Sequence, residues 1–512
     1  MKLTDEQEFI IKQDKSLIVE AAAGGGKTST SLEKTRHFKD QSFLYMAFNK
    51  SVQVEANEKF GGNVKCVTAH GLAYRNLGVY KNFEMAKYGN LHMSEIQKIL
   101  GIPKKGPEEY YGLKLASHIF KKFNLFCSSN EKSIEDIHYG DVQFGDKARD
   151  FVSKYIGEIE KGAKELWEAM KDGKCPITHD FYLKLYSLNP GKLNYDWIIV
   201  DEGQDCSQSI IDIVLPQKES KKLVLFDRNQ RIYGFRSAID NIEDYFDYEK
   251  SFLSNSFRFK QDVADLCNSI LNLKEKYLDR KVAIDIKGVG NTNEYDSKAI
   301  IGRSNVALFT SAVNYAGSSG LNKSLYFEGG LNNYVNVGSY SIYDLINLKI
   351  NKPSKIRSEF VKEFACFDDF EEFIDSTDDN EAKVLASLVK KYGGTLFGII
   401  SNLKRKETTE KKAADLVFST VHKSKGLEYD IVELTAFDYI NESRIMGYRD
   451  DNGEYPEFIK DMIVESLNIL YVAASRTKNK LIFPKSDFMS FNSNEILKES
   501  LGRDMSSYLS LI

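Results

Sequence analysis

The stretch Ser16 to Thr30, SLIVEAAAGGGKTST, constrains this chain more than any other: an apolar run reads as a strand and passes straight into a glycine-rich turn ending in Lys27 and Thr28. Ala21 to Thr28 fit the phosphate-loop pattern G/A-x-x-x-x-G-K-[ST], with alanine at the first position where glycine is commoner. Gly24, Gly25 and Gly26 let the backbone wrap close to a polyphosphate, its N–H groups aimed inward at the start of a helix whose dipole favours an anion. Ala22, Ala23, Gly24, Gly25, Gly26, Lys27, Thr28 and Ser29 are therefore the expected cradle. Lys27 would neutralise the β and γ phosphates and the Thr28 hydroxyl would bind Mg2+. The predicted chemistry is hydrolysis of a nucleoside triphosphate.

An ordinary glycine turn can carry the same letters, so a second element matters. Trp197 to Ser207, WIIVDEGQDCS, is an apolar β-branched run ending in Asp201 and Glu202. Carboxylates at the C-terminal end of a buried strand lie where doubly wound α/β sheets place their ligands. Asp201 is placed to hold Mg2+ through water, and Glu202 to orient the attacking water and take its proton. Alone, such a pair reads as a solvated loop acid; beside a phosphate loop it completes a site.

Other strands end on polar residues. Ser42 to Phe48 leads to Asn49 and Lys50 at the start of an amphipathic helix, and Asn63 to Ala69 leads into HGLAYR, which puts His70 just past a strand end. Lys222 to Phe226 delivers DRNQRIYGFRSA. There Gln230 can reach a γ phosphate, while Tyr233, Phe235 and Arg236 have the stacking faces and the cation that single-stranded nucleic acid needs. The residues leave open whether these aromatics stack on bases or fill a core. A second set of strands follows at Ala299 to Arg303, Ala414 to Thr420, Asp430 to Phe437 and Lys480 to Pro484. Arg476, beyond the apolar helix LNILYVAA, and Arg258, in LSNSFRF, are the candidates to reach a γ phosphate from a second lobe.

With 512 residues the chain is too long for one core, and about three or four compact units are expected. A composition of 42% hydrophobic and 28% charged residues fits globular domains, and no run of about 18 apolar residues is present to span a membrane. The start MKLTDEQEFI lacks the basic-then-apolar order of a signal peptide, so a cytoplasmic location is expected. Six scattered cysteines, without C-x-x-C spacing or paired histidines, suggest reduced thiols and neither zinc nor an iron–sulfur cluster. A net charge of −4 does not announce a nucleic-acid binder, though a narrow channel can supply such contacts. The basic clusters Lys218 to Lys222 and Lys404 to Lys412 are of a kind that is usually a solvated face.

The segments LTDEQ, AAAGGGKT, AFNK, TAHGLAY, DEGQD, DRNQRIYGFR, NSFRF, STVHKSKGLEYD and LNILYVAASRT span residues 3 to 477. In type and order this series resembles UvrD/Rep-type superfamily 1 DNA helicases, and most closely their F-box-helicase-like branch, which also occurs without the F-box in bacteria and phages. The resemblance implies that Gln7 reads the adenine edge of ATP, and that Lys27, Thr28, Asp201, Glu202, Gln230, Arg258, Glu428 and Arg476 contact nucleotide and Mg2+. It implies single-strand contacts from Phe48, Asn49, Thr68, His70, Tyr233, Phe235, Arg236, Thr420 and His422. Departures fall at Gly203, where alanine or a larger residue is usual, at Phe226 in place of glycine, and at Ser475 and Thr477 flanking Arg476.

The fold so implied is α/β, two RecA-like P-loop lobes with parallel sheets flanked by helices, each with a mainly helical insertion. Lobe 1A takes residues 1–77 and 190–250 around insertion 1B at 78–189. Lobe 2A takes 251–339 and 412–512 around a short insertion 2B at 340–411. With about 30 residues after the last motif strand, no appended nuclease is expected. The implied activity is ATP-dependent movement on single-stranded DNA or at single-strand/duplex junctions, 3′ to 5′, in repair, recombination or replication. Two alternatives are a DNA-stimulated ATPase that remodels protein–DNA complexes and a subunit of a phage-defence system.

Overall fold

Near-continuous apolar runs become strands covered on both faces, as parallel sheets require. In a computed structural model that describes residues 2–142, 145–232, 241–278, 284–291, 295–317, 323–337, 340–435 and 455–482, these are β1 (Leu17–Ala21), β2 (Phe43–Ala47), β3 (Val64–Thr68), β4 (Trp197–Val200), β5 (Lys221–Phe226) and β6 (Glu249–Leu253). They form one parallel sheet in the order β3-β2-β4-β5-β1-β6. Every residue of β1, β2 and β4 is buried. The phosphate loop and the acidic pair thus leave the same edge of the sheet, from β1 and β4, with β5 between them.

After β6 the chain makes a two-residue strand, β7 (Asn255–Ser256), paired with β8 (Lys287–Gly288), and enters a second parallel sheet. Its strands are β9 (Lys298–Gly302), β10 (Leu325–Phe327), β13 (Leu416–Thr420), β14 (Tyr429–Leu434) and β15 (Thr477–Ile482), ordered β10-β13-β9-β14-β15. A small antiparallel ladder of β11 (Asn336–Val337) with β12 (Tyr340–Ser341) opens the second insertion. These are two RecA-like P-loop lobes.

Two strands of the main sheets escape the sequence reading, as do the two-residue strands β7, β8, β11 and β12. β6, EKSFL, is an edge strand with only two fully buried positions, and β10 has three residues, so neither presents the long apolar run that marks its neighbours. Because β6 pairs with β1 through Leu253, the first lobe runs past the boundary expected at residue 250. Its register places Ala21 opposite Leu253, directly under the phosphate loop.

Both insertions are built mainly of helices. The first contains Met93–Leu100, Tyr111–Ser128, Asp146–Lys171 and His179–Leu188; the second contains Ile342–Lys349, Phe367–Ser376, Asn380–Tyr392 and Leu396–Lys406. Phe367–Ser376, FDDFEEFIDS, shows why: Phe367, Phe370, Phe373 and Ile374 recur at helical spacing and are buried, while the acids between them face out. The insertions touch one another. His118 Nε2 lies 2.9 Å from Ser376 O, and Lys121 Nζ donates to Thr377 O at 2.6 Å and Asp378 O at 2.9 Å. Tyr110 donates its hydroxyl to Asp369 at 3.0 Å. A cation at the carbonyl end of Phe367–Ser376 complements that helix's dipole.

Candidate nucleotide and nucleic-acid site

β1 delivers the phosphate loop. Ala22 N–H donates to Leu253 O and Gly25 N–H to Ala22 O, each at 2.9 Å, so the loop closes over the end of β6. Gly24 and Gly26 have φ of 75° and 80°, the left-handed region that glycine tolerates. A Cβ on Gly24 would lie 2.7 Å from Arg258 Cβ, and one on Gly25 2.9 Å from Ala22 O. Ala22 and Ala23 differ: both are fully buried in an apolar cluster that includes Phe259, Val263 and Tyr471 of the second lobe. Their methyl groups pack between the lobes, a use that glycine could not serve.

Lys27 and Thr28 open the helix Lys27–His37, with Ser29 following them. Lys27 Nζ lies 3.2 Å from Glu202 Oε1. Burial opposes its charge, but Glu202, Asp201 and Asp227 outweigh it and raise the Lys27 pKa. Asp201, at the end of β4, accepts the Tyr45 hydroxyl and, at 3.0 Å, the Glu202 N–H. Burial, and then the Glu202 charge, push the Asp201 carboxyl up. Burial would do the same to Glu202, yet the Lys27 and Lys425 ammonium groups hold its carboxyl down. The two neighbouring acids are thus driven apart, the pattern that separates roles in a catalytic pair. Glu202 has φ of 54°, a left-handed backbone that is costly for a residue with a Cβ and concentrates at functional sites. Tyr45 also hydrogen-bonds Thr28. Thr28, Tyr45 and Asp201 therefore form a row of oxygens beside the cradle, and the Thr28 and Asp201 oxygens are the hard donors that fit Mg2+.

The departures from the expected pattern have local reasons. A Cβ on Gly203 would meet Ile242 Cδ1 at 2.5 Å, so Ile242 fills the space an alanine methyl would take. Phe226 closes β5 fully buried. Ser475 Oγ accepts Arg476 Nη2 at 2.9 Å, and its backbone carbonyl accepts Arg258 Nη1 at 3.0 Å. Thr477 is buried and donates to Lys480 O at 2.8 Å.

The second lobe brings two guanidinium groups to the same cleft. Arg258 passes over Gly24 and pairs with Glu428 at 3.0 Å. Arg476, only 1% exposed, follows the helix Glu457–Ala474. It donates to Val472 O at 2.9 Å, to Leu427 O at 3.3 Å and to Gln230 Oε1 at 3.4 Å. Among the described residues all its acceptors are neutral oxygens. Burial, and then the Arg258 charge, lower the Arg476 pKa. A buried cation without a counter-ion is costly, and an anion between Arg258 and Arg476 offsets that cost. Gln230, whose Nε2 donates to Asp227 at 2.6 Å, connects Arg476 to the first lobe. Gln7 is fully buried against the cradle, its amide bonded to Thr30 Oγ1 at 3.2 Å and to Thr4 N at 3.1 Å.

Three contacts that join the lobes were not legible as functional in the sequence. Tyr471 accepts the Ala23 N–H at 3.2 Å and lies 3.4 Å from Asp227 Oδ2. Lys425 pairs with Asp205 and donates to Gln230 O at 2.7 Å. Lys274 Nζ bridges Asn229 at 2.9 Å and Asn468 at 2.8 Å. The signal for Tyr471 was a phenol within the apolar run ILYVAA, since a buried tyrosine needs a partner.

The residues expected to face a strand sit at sheet edges in matching ways. Thr68, at the end of β3, caps the helix Ala69–Asn76 by accepting Gly71 N–H at 3.0 Å; Thr420, at the end of β13, caps Val421–Ser424 by accepting Lys423 N–H at 3.3 Å. Each cap is followed two residues later by a histidine, His70 or His422. His70 and the 38% exposed Phe48 line a cavity of about 830 Å3 to which the first sheet, the first insertion through Asn124 and Ser128, and the second through Asp378 and Asn380 all contribute. Asn49 caps the helix Lys50–Lys59 by accepting Val52 N–H at 2.9 Å. His422 Nε2 lies 3.0 Å from Ile232 O. Tyr233, Phe235 and Arg236 lie outside the described residues.

Residues 7–236 match an AAA domain, and residues 258–487 match the UvrD-like helicase C-terminal domain. The chain is 32% identical to F-box DNA helicase 1 of Gallus gallus across 95% of its own length and 49% of that protein. It is 29% identical to F-box DNA helicase protein 1 of Schizosaccharomyces pombe, across 94% of this chain and 57% of that one. A shorter match, 25% identical over 54% of the chain, is to the mitochondrial ATP-dependent DNA helicase HMI1 of Saccharomyces cerevisiae. The chain spans about half the length of the curated relatives it matches.

Proposed function

The chain belongs to the UvrD-like helicase family, on the branch of the F-box DNA helicases, and on that premise we propose that it hydrolyses ATP between its lobes and moves along single-stranded DNA. The observation that carries this reading is the convergence on one cleft of Lys27, Asp201 and Glu202 from the first lobe with Arg258 and Arg476 from the second. In this reading the cradle N–H groups and Lys27 hold the β and γ phosphates, and Glu202 orients water and takes its proton. Mg2+, held by Thr28 and Asp201, would neutralise phosphate charge. Arg258 and Arg476 meet the charge that develops at the γ phosphate, so the lobes close on ATP and part after its hydrolysis. Gln7, packed against the cradle, is assigned to the adenine edge of ATP, and Glu428 to holding Arg258 in position.

The paired threonine–histidine edges, one on each lobe, give two grips that this closure alternately tightens. Phe48, Asn49, Thr68 and His70 belong to one grip, Thr420 and His422 to the other, with Tyr233, Phe235 and Arg236 assigned to the strand as well. Stacking and backbone contact hold a strand without reading its sequence. Movement 3′ to 5′, action at single-strand/duplex junctions in repair, recombination or replication, and a cytoplasmic location complete the proposal. Six unpaired cysteines suit a reducing compartment.

The test is ATP hydrolysis with and without single-stranded DNA, followed by duplex unwinding and displacement of a bound protein filament in parallel. Stimulated hydrolysis with filament displacement and no unwinding would favour remodelling of protein–DNA complexes over a helicase. A co-purified nuclease would favour a phage-defence subunit. Phe48→Ala is expected to weaken single-strand binding by about 1 to 3 kcal/mol, with an unchanged melting temperature because the ring is already half in water. A lowered melting temperature with intact DNA affinity would assign Phe48 to packing. Tyr471→Phe leaves the Ala23 N–H without its acceptor, a loss of about 1 to 3 kcal/mol. It is expected to raise the KM for ATP about tenfold, a change of about 1.4 kcal/mol, while kcat changes less. An unaltered KM would show that the bond serves folding alone.

A further inference from the structure

The second insertion holds a cavity of about 1050 Å3 that no part of the nucleotide cleft or the strand-facing edges uses. Its lining includes Tyr343, Phe397, Lys352, Lys355 and Arg357. The Tyr343 and Phe397 rings are half-buried and lie 6.1 Å apart at 25°, with Lys404 Nζ 5.4 Å from the Tyr343 centroid. Lys352, Lys355 and Arg357 are exposed, and among the described residues no carboxylate pairs with them. They sit on a fixed loop. Asp344 accepts Arg357 N–H at 2.9 Å and Ser358 N–H at 3.0 Å, Lys352 N–H donates to Asn347 O at 2.8 Å, and Asn347 Nδ2 donates to Lys355 O at 3.3 Å. A basic loop by itself is an ordinary solvated face. Here the three cations border a concavity whose size suits a small organic group, and two half-buried aromatic rings line it.

We propose that this cavity binds a segment of single-stranded DNA, as a second strand site beyond the motor cleft. The proposal rests on the reading of the chain as a single-strand motor. Cations beside accessible ring faces are the chemistry that holds an unstacked strand: phosphates meet the ammonium and guanidinium groups, and a base stacks on an aromatic. A duplex keeps its base faces inside its own stack. An acidic peptide would use the cations and leave the rings without a role.

The test uses the full chain and fluorescent oligothymidylates of increasing length, titrated over a range of salt, beside hydrolysis stimulated by the shortest oligonucleotide. The combined variant Lys352→Glu, Lys355→Glu and Arg357→Glu is expected to bind long strands about tenfold more weakly and to flatten the log–log salt slope by about 2. Tyr343→Ala is expected to weaken long strands about tenfold with the salt slope unchanged. Tyr343→Leu serves where the alanine variant has a lower melting temperature. Both variants should keep short-strand-stimulated hydrolysis. Long-strand affinity and salt slope equal to those of the unmodified chain would overturn the proposal, and so would a loss confined to duplex. If the unmodified chain shows no DNA-stimulated hydrolysis while its long-strand affinity still depends on the three cations, the motor reading fails and the cavity assignment stands.

Discussion

Replacing Lys27 by alanine is expected to lower ATP turnover by at least about a thousandfold while single-strand affinity stays within about twofold. The ammonium group stands at the mouth of the glycine cradle, and three carboxylates, Glu202, Asp201 and Asp227, hold it protonated against burial. Its removal takes away the phosphate's charge partner and also the 3.2 Å contact that steadies Glu202. With Lys27 gone, the Glu202 carboxyl loses the largest of the influences that hold its pKa down, so the proposed base is less reliably ionised as well. Phe48, His70, Thr420 and His422 belong to the proposed strand-facing edges rather than to the cradle, which is why binding of the strand should survive. Steady-state hydrolysis and DNA anisotropy on the same preparation decide the matter. Turnover above about a tenth of the unmodified rate would place the γ phosphate elsewhere.

Arg476→Ala is expected to lower kcat by about three to five orders of magnitude, the range for an arginine that meets a transferring phosphoryl group. A structural reading competes with this one, because Arg476 ties the end of the helix Glu457–Ala474 to Leu427 O and Gln230. The two readings part on measurement. A phosphate-directed arginine costs kcat at a nearly constant melting temperature, and Arg476→Lys restores little, since a point charge cannot reproduce the planar fork. An arginine that only packs costs stability, with kcat per folded molecule retained.

The local motifs were legible because their chemistry is written in consecutive residues. A strand, three glycines and a lysine dictate the cradle wherever they occur, and the acidic pair after β4 dictates its partner. The buried runs of β1, β2 and β4 fit the expected parallel sheet, but its strand order was not read from the sequence. What the sequence hid depends on residues far apart. β6 was missed because its edge position leaves it half polar, and Tyr471 reads as one more large side chain in an apolar helix until Ala23, 448 residues away along the chain, is seen beside it. Gly203 looked like a defect and is matched by Ile242. The docking of His118 and Lys121 on the end of Phe367–Ser376 joins segments whose separate patterns mention nothing of each other.

Among the described residues the chain crosses from the first sheet to the second once, at Leu253 to Arg258, and that crossing lies against the cradle. Under the closure proposed above, the hinge would therefore sit beside the phosphates. A small rotation there would need little rearrangement of the backbone around the phosphates, whereas parts farther from the hinge would travel in proportion to their distance from it. The two insertions meet where His118 and Lys121 reach the end of Phe367–Ser376, so a rotation of the lobes about that crossing would have to slide or break this far contact while sparing the near one.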